Sequence, residues 1–350
     1  MAIIADTYDH IVGVDTHART HTYCVVSTKT GAVIDTATFP ASPAGINRAL
    51  TWVTRRAPGT VFAAVEGTSS YGSTLTAALA AQGVPIGEVR PQPRSAHAHA
   101  HAGKSDPLDA EAAARSVLGK ECSRVPHPRG AGDRAALRVL LSARSLIDQQ
   151  RTANRNALTA LLRTVDLGVD ARSPLTDKQI AIIESWRNSR CTNKVDLIAR
   201  AEAKRLATVV NEQTRQLRHN HAQLAEHAQR LAPGLQQTPG VGPVTAAILI
   251  CAYSHHGRVR SEAAFAALGG IAPLPASSGN TTRHRLSRSG DRQLNRAIDI
   301  IVRTRMSFDP ATRAYLRRGL ETGKTKREIR RNLKRYVCRS LFRQLQAAMA

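Results

Sequence analysis

Short apolar runs and amphipathic helical stretches alternate along the first third of the chain. The predicted strands cover residues 11–15, 20–28, 33–39, 61–66 and 86–89. One helix is predicted to begin after Ser42-Pro43 and to reach about Arg56, and another to run from about Tyr71 to Gly83. The order is three strands, helix, strand, helix, strand, helix. This order predicts an α/β domain with a mixed sheet.

The middle of the chain is dominated by helical heptad patterns. A first helix is predicted over residues 133–165, with a seam of apolar residues that Arg144, Arg151 and Asn154 interrupt. A second seam contains Leu206, Val210, Gln213, Leu217, Asn220, Leu224 and Leu231. Polar residues in such a seam, here Gln213 and Asn220, set helix register and oligomeric state. The pattern fits an intramolecular helical hairpin and an intermolecular coiled coil equally well.

Composition limits the classes of partner. The chain has 350 residues, 42% of them hydrophobic, which predicts roughly two domains with substantial cores. Its 50 Lys and Arg against 26 Asp and Glu give a net charge of +24, which indicates polyanionic partners and foremost nucleic acid. Aromatic residues make up 4%, so base stacking on an aromatic sheet is not the expected mode of recognition.

The cysteine pattern and the hydropathy indicate a protein of the reducing cytoplasm. The five cysteines are scattered and have no CxxC spacing, which argues against a disulfide framework or a zinc site. No signal peptide is expected, and no apolar run approaches the length of a membrane span.

Four carboxylates are candidates for one metal site. Asp15 and Glu66 each end a predicted strand, and ligands of such sheets collect beyond the carboxyl ends of strands. Asp106 is predicted to be the N-cap of a helix with Pro107 in its first position, and Asp109 then projects from the same face of the first turn. Capping and the helix dipole alone could also explain these two acids.

Converging carboxylates repel one another unless cations hold them, and hard oxygen ligands fit Mg²⁺ or Mn²⁺. With a phosphodiester substrate, two such ions would activate one oxygen and stabilise another. An actin-like sugar kinase also opens with a strand that ends in Gly-x-Asp. That fold requires a glycine-rich phosphate turn after Asp15, where this chain has Thr16-His17-Ala18-Arg19. His97, His99 and His101 precede the second pair of acids, and a solvated or RNA-facing segment explains them better than a metal site.

A glycine-containing turn is the first candidate contact with nucleic acid. Thr238-Pro239-Gly240-Val241-Gly242-Pro243 is similar to the turn of a helix-hairpin-helix motif. Gly240 and Gly242 would let backbone N–H groups approach a phosphate at the start of the next helix. The alternative is a plain turn between packed helices.

A second candidate region is rich in arginine. Ser277-Ser278-Gly279 is followed by Arg283, Arg285, Arg288 and Arg292, which supply the cations of a phosphate site. A serine hydroxyl needs a base or a metal to become a nucleophile. The tail over residues 311–343 adds twelve Lys and Arg against two Glu, and it is predicted to be a helix that lies along phosphates.

Taken together, these motifs resemble the DEDD-type insertion-sequence transposases, which are bridge-RNA-guided serine recombinases with an N-terminal RuvC-like domain. The N-terminal motifs are Val12-Gly13-Val14-Asp15-Thr16, Val65-Glu66-Gly67-Thr68 and Lys104-Ser105-Asp106-Pro107-Leu108-Asp109-Ala110. The C-terminal motifs are Pro239-Gly240-Val241-Gly242, Gly270-Ile271-Ala272-Pro273 through Ser278-Gly279, and Ser287-Arg288-Ser289-Gly290-Asp291. The resemblance covers nearly the whole chain with the motifs in the family's order.

The resemblance implies a fold and a set of site residues. It implies a RuvC-like (ribonuclease-H-like) α/β domain at 1–130, a helical coiled-coil connector at 131–232 and a mostly α-helical transposase domain at 233–350. Asp15, Glu66, Asp106 and Asp109 would bind Mg²⁺ or Mn²⁺. Ser278 would form a covalent phosphoserine link to DNA, with its neighbour Ser277 as the alternative nucleophile.

The resemblance also implies the partners and the place of action. These are donor and target DNA, a structured noncoding guide RNA and further copies of the chain, in the prokaryotic cytoplasm at the nucleoid. Two other functions remain open at this stage. A Holliday-junction-type endonuclease would use the same acids with water as the nucleophile, and a non-catalytic nucleic-acid-binding protein would not need all four acids.

Overall fold

The computed structural model describes residues 2–90, 105–130, 132–187, 193–275, 284, 285, 287 and 289–350. The described chain forms two compact units, Met1–Arg129 and Gly130–Ala350. The further division of the second unit into a connector and a C-terminal domain stays a prediction.

The first unit is built on a five-stranded mixed sheet in the order β3-β2-β1-β4-β5. The strands are β1 (His10–Thr16), β2 (Thr20–Ser27), β3 (Val33–Pro40), β4 (Val61–Glu66) and β5 (Ile86–Val89). The first three strands pair antiparallel in sequence, whereas β4 pairs parallel with both β1 and β5. All five predicted strands therefore exist, and this topology is consistent with a RuvC-like fold.

Helices cover both faces of this sheet. They are α1 (Ile4–Thr7), α2 (Pro43–Arg56), α3 (Ser73–Ala81) and α4 (Asp106–Arg115). Because side chains alternate along a strand, Val12 and Val14 of β1 pack into the core beneath α2 and α3, whereas Ile11 packs into the core beneath α4. Each face thus has its own apolar core.

The helix predicted from about Tyr71 begins at Ser73 instead. A turn occupies the intervening residues, because the N–H groups of Ser70 and Gly72 both donate to the Gly67 carbonyl. Gly67 adopts a φ of 61°, a conformation that favours glycine, and this lets the chain reverse directly after β4.

The second unit begins with a long helical hairpin. It consists of α5 (Asp133–Thr164), α6 (Asp177–Glu184) and α7 (Lys194–Leu231), and α5 runs antiparallel to α7. The far end of the hairpin has its own apolar core, in which Leu158, Ile180 and Leu206 are buried. The two predicted helices exist, and in this structure the partner of each is the other helix of the same chain.

The polar residues of the seam are paired across this hairpin. The Gln213 side-chain oxygen accepts a hydrogen bond of 3.2 Å from Asn154. The Asn220 amide donates to the Leu140 carbonyl at 2.9 Å and accepts from Arg144 at 3.4 Å. The polar residues in the seam of α5 therefore form hydrogen bonds with the polar residues in the seam of α7.

The remaining elements pack around an apolar core. They are α8 (Pro243–Tyr253), α9 (Glu262–Leu268), β6 (Leu274–Pro275), β7 (His284–Arg285), α10 (Arg292–Phe308), α11 (Pro310–Glu321) and α12 (Lys326–Ala348). Tyr253, Phe265 and Phe342 meet with ring centroids 5.9–6.4 Å apart. Within the described part of the chain, no helix is long and apolar enough to cross a membrane.

Candidate functional site

The sheet of the first unit places two of the predicted acids side by side. Val14 of β1 lies opposite Val65 of β4 in a parallel register, so the next residue of each strand is an acid, Asp15 or Glu66. Alternation directs both side chains to the face of the sheet that α4 covers. Asp15 is buried, with 6% of its surface exposed, and Glu66 is half-buried.

Helix α4 brings the other two acids to the same edge. Its N-cap is Ser105 rather than Asp106, as the Ser105 carbonyl accepts from the N–H groups of Leu108 and Asp109. The Ser105 side chain makes no capping hydrogen bond. Asp106 is thus the first helical residue, and Pro107 follows in a position where its missing N–H costs no hydrogen bond. The predicted capping role of Asp106 is therefore wrong, and its carboxylate remains available for another role.

A histidine joins the acids. His17 Nδ1 lies 3.6 Å from Asp15 Oδ2 and 3.6 Å from Asp106 Oδ2. The ligand atoms of these three residues all lie within 4.8 Å of one another. Sequence reasoning did not assign His17 to the site, although the Asp-x-His spacing at the end of a strand was available as a signal. Residues two apart in an extended chain share a face, and so His17 follows Asp15.

The electrostatics confirm that carboxylates are crowded here. Burial, followed by the charges of Asp15 and Asp109, raises the pKa of the Glu66 carboxyl to about 7, while His17 acts in the opposite direction. A carboxyl with an elevated pKa near like charges is characteristic of functional sites.

The donor set fits a divalent cation. It combines carboxylate oxygens with one imidazole nitrogen, and divalent cations accept both kinds of donor. The assignment of Asp15, Glu66, Asp106 and Asp109 as ligands of such an ion stays a prediction.

The turn before α8 is closely packed. A Cβ on Gly240 would lie 2.9 Å from the Ile301 carbonyl oxygen, and Arg305 Nε donates to the Pro239 carbonyl at 2.7 Å. The Gly242 N–H donates to Thr245 Oγ1 at 3.0 Å. The absence of a side chain at Gly240 therefore serves packing against α10, and phosphate binding by this turn stays a prediction.

Several predicted residues lie outside the described part of the chain. They are Ser277, Ser278, Arg283, Arg288 and the histidines His97, His99 and His101. Arg285 lies in β7, which pairs with β6, and Arg292 is the exposed first residue of α10. The nucleophile and the phosphate-binding role of these arginines therefore stay predictions.

The basic tail is helical, as predicted, and much of its charge is exposed. The exposed cations of α11, α12 and the turn between them are Arg313, Arg317, Arg318, Lys324, Lys326, Arg327, Arg331 and Arg343. The apolar residues of α12, among them Leu333 and Leu341, are buried in the core. One face of the helix thus holds it in the fold while the other is available to a polyanion.

The strand order and the acids at adjacent strand ends are consistent with a RuvC-like domain that carries a candidate metal centre. Comparison with known proteins identifies the family. Residues 12–166 match the family model described as DEDD_Tnp_IS110, a transposase, and residues 232–317 match the one described as the transposase IS116/IS110/IS902 family. The two matches together cover more than half of the 350-residue chain. This chain belongs to the IS110 family of DEDD transposases.

A curated relative agrees with this assignment. The chain is 35% identical over 156 residues to the insertion element IS110 uncharacterized 43.6 kDa protein of Streptomyces coelicolor. The matching segment covers 44% of this chain and 38% of the relative, so it spans less than half of either protein.

Proposed function

We propose that this chain is the transposase of an insertion sequence, an RNA-guided recombinase that cuts and exchanges DNA strands through a covalent phosphoserine intermediate. The observation that carries the proposal is the convergence of Asp15, Glu66, Asp106 and Asp109 at one edge of the sheet. Membership of the transposase family supports the same conclusion.

The four carboxylates would hold Mg²⁺ or Mn²⁺, which when bound polarises a phosphodiester oxygen. The Ser278 oxygen would form a bond to phosphorus while the bond from phosphorus to a DNA oxygen breaks. In net balance, the hydroxyl proton ends on the released DNA oxygen. Reversal of this step with a different strand end rejoins the DNA, so that the energy of the phosphodiester is conserved in the intermediate.

The proposed division of labour assigns sequence recognition to RNA. A chain with a net charge of +24 and a helix of exposed cations is suited to nucleic-acid backbones of any sequence. Base pairing between a structured guide RNA and each DNA would then supply specificity, while the protein contacts the shape and charge of the duplexes.

Strand exchange requires several coordinated cuts, and we propose a homo-oligomer in which the carboxylates of one subunit serve Ser278 of another. The outer face of α5 supports self-association. Between Val139 and Ala160, this helix exposes 13 residues, of which Asp148 alone is charged. Exposed Val139, Ala143, Leu146, Gln150, Ala153, Ala157 and Ala160 follow one another at alternating spacings of four and three.

The outer face of α7 is a useful contrast within the same hairpin. It carries the ion pairs Glu202–Arg205 and Glu212–Arg215, as expected of a solvated helix. The second heptad seam on α5 is separate from the one that faces α7, and a second copy of the chain would cover its uncharged surface.

The test of the mechanism is capture of the protein–DNA adduct. Wild-type protein, its co-purifying RNA, DNA and Mg²⁺ should give a covalent adduct that Ser278→Ala abolishes and Ser277→Ala retains. Cleavage without any adduct would mean that water is the nucleophile, as in a Holliday-junction-type endonuclease. No metal-dependent cleavage at all would leave a non-catalytic binding protein.

The test of shared sites is complementation. Asp106→Ala and Ser278→Ala proteins should each be inactive and should regain recombination when mixed. Continued inactivity, with hetero-oligomers shown to form, would mean that each chain builds its own site.

A further inference from the structure

The carboxylate site contains a nitrogen donor that a purely acidic site would lack. His17 Nδ1 is equidistant, at 3.6 Å, from one oxygen of Asp15 and one oxygen of Asp106. Both separations exceed a hydrogen bond of this kind, which measures about 2.7–3.2 Å. Adjacent ligands of one ion at roughly 2.1 Å lie about 3.0–3.6 Å apart, so both distances from His17 fit ligands around a shared cation.

The fold fixes His17 in this position. The His17 N–H donates to the Thr20 carbonyl at 3.0 Å and closes the short connection between β1 and β2. The hydroxyl of the preceding Thr16 donates to the Glu66 carbonyl at 3.0 Å, which ties the end of β1 to the end of β4. Hydrogen bonds to β2 and β4 therefore hold the backbone that carries the imidazole.

The approach of α4 to the sheet completes the set. Gly13 lacks a side chain at the point where α4 crosses β1, so the helix comes close enough for Asp106 to reach His17. The three donors come from the end of β1 with its connection to β2 and from the first turn of α4, and packing of α4 on the sheet brings them together.

We propose that His17 is a metal ligand together with Asp15 and Asp106, and that it makes this site bind Mn²⁺ in preference to Mg²⁺. The inference rests on the carboxylate site of the proposed function. Imidazole nitrogen is a good ligand for first-row transition metals, whereas Mg²⁺ favours oxygen ligands and retains its water. Loss of the imidazole should therefore weaken Mn²⁺ binding much more than Mg²⁺ binding.

A different role for His17 predicts the opposite change in metal affinity when the imidazole is removed. If the imidazole served as a cation that neutralises Asp15 and Asp106, it would compete with the metal for the same carboxylates. Its removal would then strengthen metal binding. The direction of the change thus separates a ligand from a counter-charge.

The experiment measures Mn²⁺ and Mg²⁺ binding by the full chain without nucleic acid. Free Mn²⁺ is followed by its EPR signal, and Mg²⁺ by competition against Mn²⁺, in wild-type, His17→Gln and His221→Gln proteins. His221 lies on the exposed face of α7 and serves as the matched control. We expect His17→Gln to weaken Mn²⁺ binding about tenfold or more and Mg²⁺ binding by less than about threefold, with His221→Gln unchanged.

A spectroscopic readout tests the Mn–N bond directly. Pulsed EPR of the Mn²⁺-loaded wild type should show coupling to an imidazole nitrogen, which His17→Gln should abolish and His221→Gln should retain. Unchanged or stronger Mn²⁺ binding in His17→Gln, or absence of the nitrogen coupling in the wild type, would overturn the proposal.

One further variant separates this inference from the proposed function. Asp15→Asn should abolish high-affinity Mn²⁺ binding. If Asp15→Asn has no effect, the carboxylate site itself is wrong and this inference fails with it. If Asp15→Asn abolishes binding while His17→Gln has no effect, the carboxylate site stands and only the role of His17 is refuted.

Discussion

Gly13 of β1 and Ala110 of α4 are in direct backbone contact. A Cβ added to Gly13 would lie 2.0 Å from the Ala110 carbonyl oxygen and 2.6 Å from the Ala114 nitrogen. Ala110, Ala113 and Ala114 are all fully buried against the sheet. The small residues on both sides set the depth at which α4 packs, and they thereby set the position of the acids on its first turn.

We predict that Gly13→Ala both destabilises the first unit and weakens metal binding. The added methyl group meets backbone atoms, which cannot rotate away, so α4 must move outward at a cost of about 1–3 kcal/mol. The measurements are urea unfolding and Mn²⁺ binding. Trp52 fluorescence in a Trp186→Phe background reports on the first unit, since Trp52 lies on α2 and packs against Phe39.

The matched control for this variant is Gly119→Ala. Gly119 also lies in the first unit, and a Cβ added there would meet no heavy atom within 4 Å, so this change should stay within about 0.5 kcal/mol. Equal stability and equal Mn²⁺ affinity in the two variants would contradict the packing argument.

Glu66 should make the metal-free protein less stable as pH rises. Its pKa of about 7 in the folded state exceeds the ordinary value of 4.5, so the folded state binds more protons between these values. The stabilisation is complete below about pH 4.5 and is lost as pH rises towards 7. We expect a loss on the order of 1–2 kcal/mol, because solvent partly screens a half-buried carboxyl.

The measurement is the free energy of unfolding of the first unit at pH 5, 6, 7 and 8 in chelator, again followed by Trp52. Glu66→Gln should remove most of the decline and be more stable than the wild type at pH 8. Identical pH profiles for the two proteins would show that Glu66 titrates normally.

Asn220 should stabilise the hairpin without setting the oligomeric state. Its side chain is buried and bonds to both Leu140 and Arg144 of α5 in the same chain. Asn220→Ala leaves these groups with one partner fewer and should cost about 1–3 kcal/mol. His219→Ala, on the exposed neighbouring position, is the control. A change of oligomeric state in light scattering, with stability unaltered, would instead place Asn220 between chains.

Leu146 should contribute to contact between copies of the chain. It is 56% exposed in the outer seam of α5 that begins at Val139, and a glutamate there would bring like charges together where two copies meet. We expect Leu146→Glu to weaken self-association at least tenfold in analytical ultracentrifugation, and Gln216→Glu on exposed α7 to have little effect. Equal association of both variants would exclude this face as the interface.

Local pattern was sufficient to locate the five strands of the sheet and the two long helices of the hairpin, although it missed α1 and α6. The apolar runs that end at Asp15 and Glu66 are strands because burial on both faces of a sheet requires continuous hydrophobicity, which a single sequence displays. The heptad patterns of α5 and α7 likewise predict helices, because the period of apolar residues can be read from a local stretch of sequence. The four acids were identified from strand ends and a helix start, and the motifs that resemble the transposase family agreed.

Tertiary structure decided what these elements do together. Only the packed fold shows that Gln213 and Asn220 pair with α5 of their own chain. A heptad pattern does not specify which helix packs against it. Only the depth of α4 on Gly13 brings Asp106 to His17, because that distance depends on the volume of side chains far apart in sequence. The sequence by itself identified the four acids as candidate site residues. Three-dimensional packing determined that His17 lies next to Asp15 and Asp106.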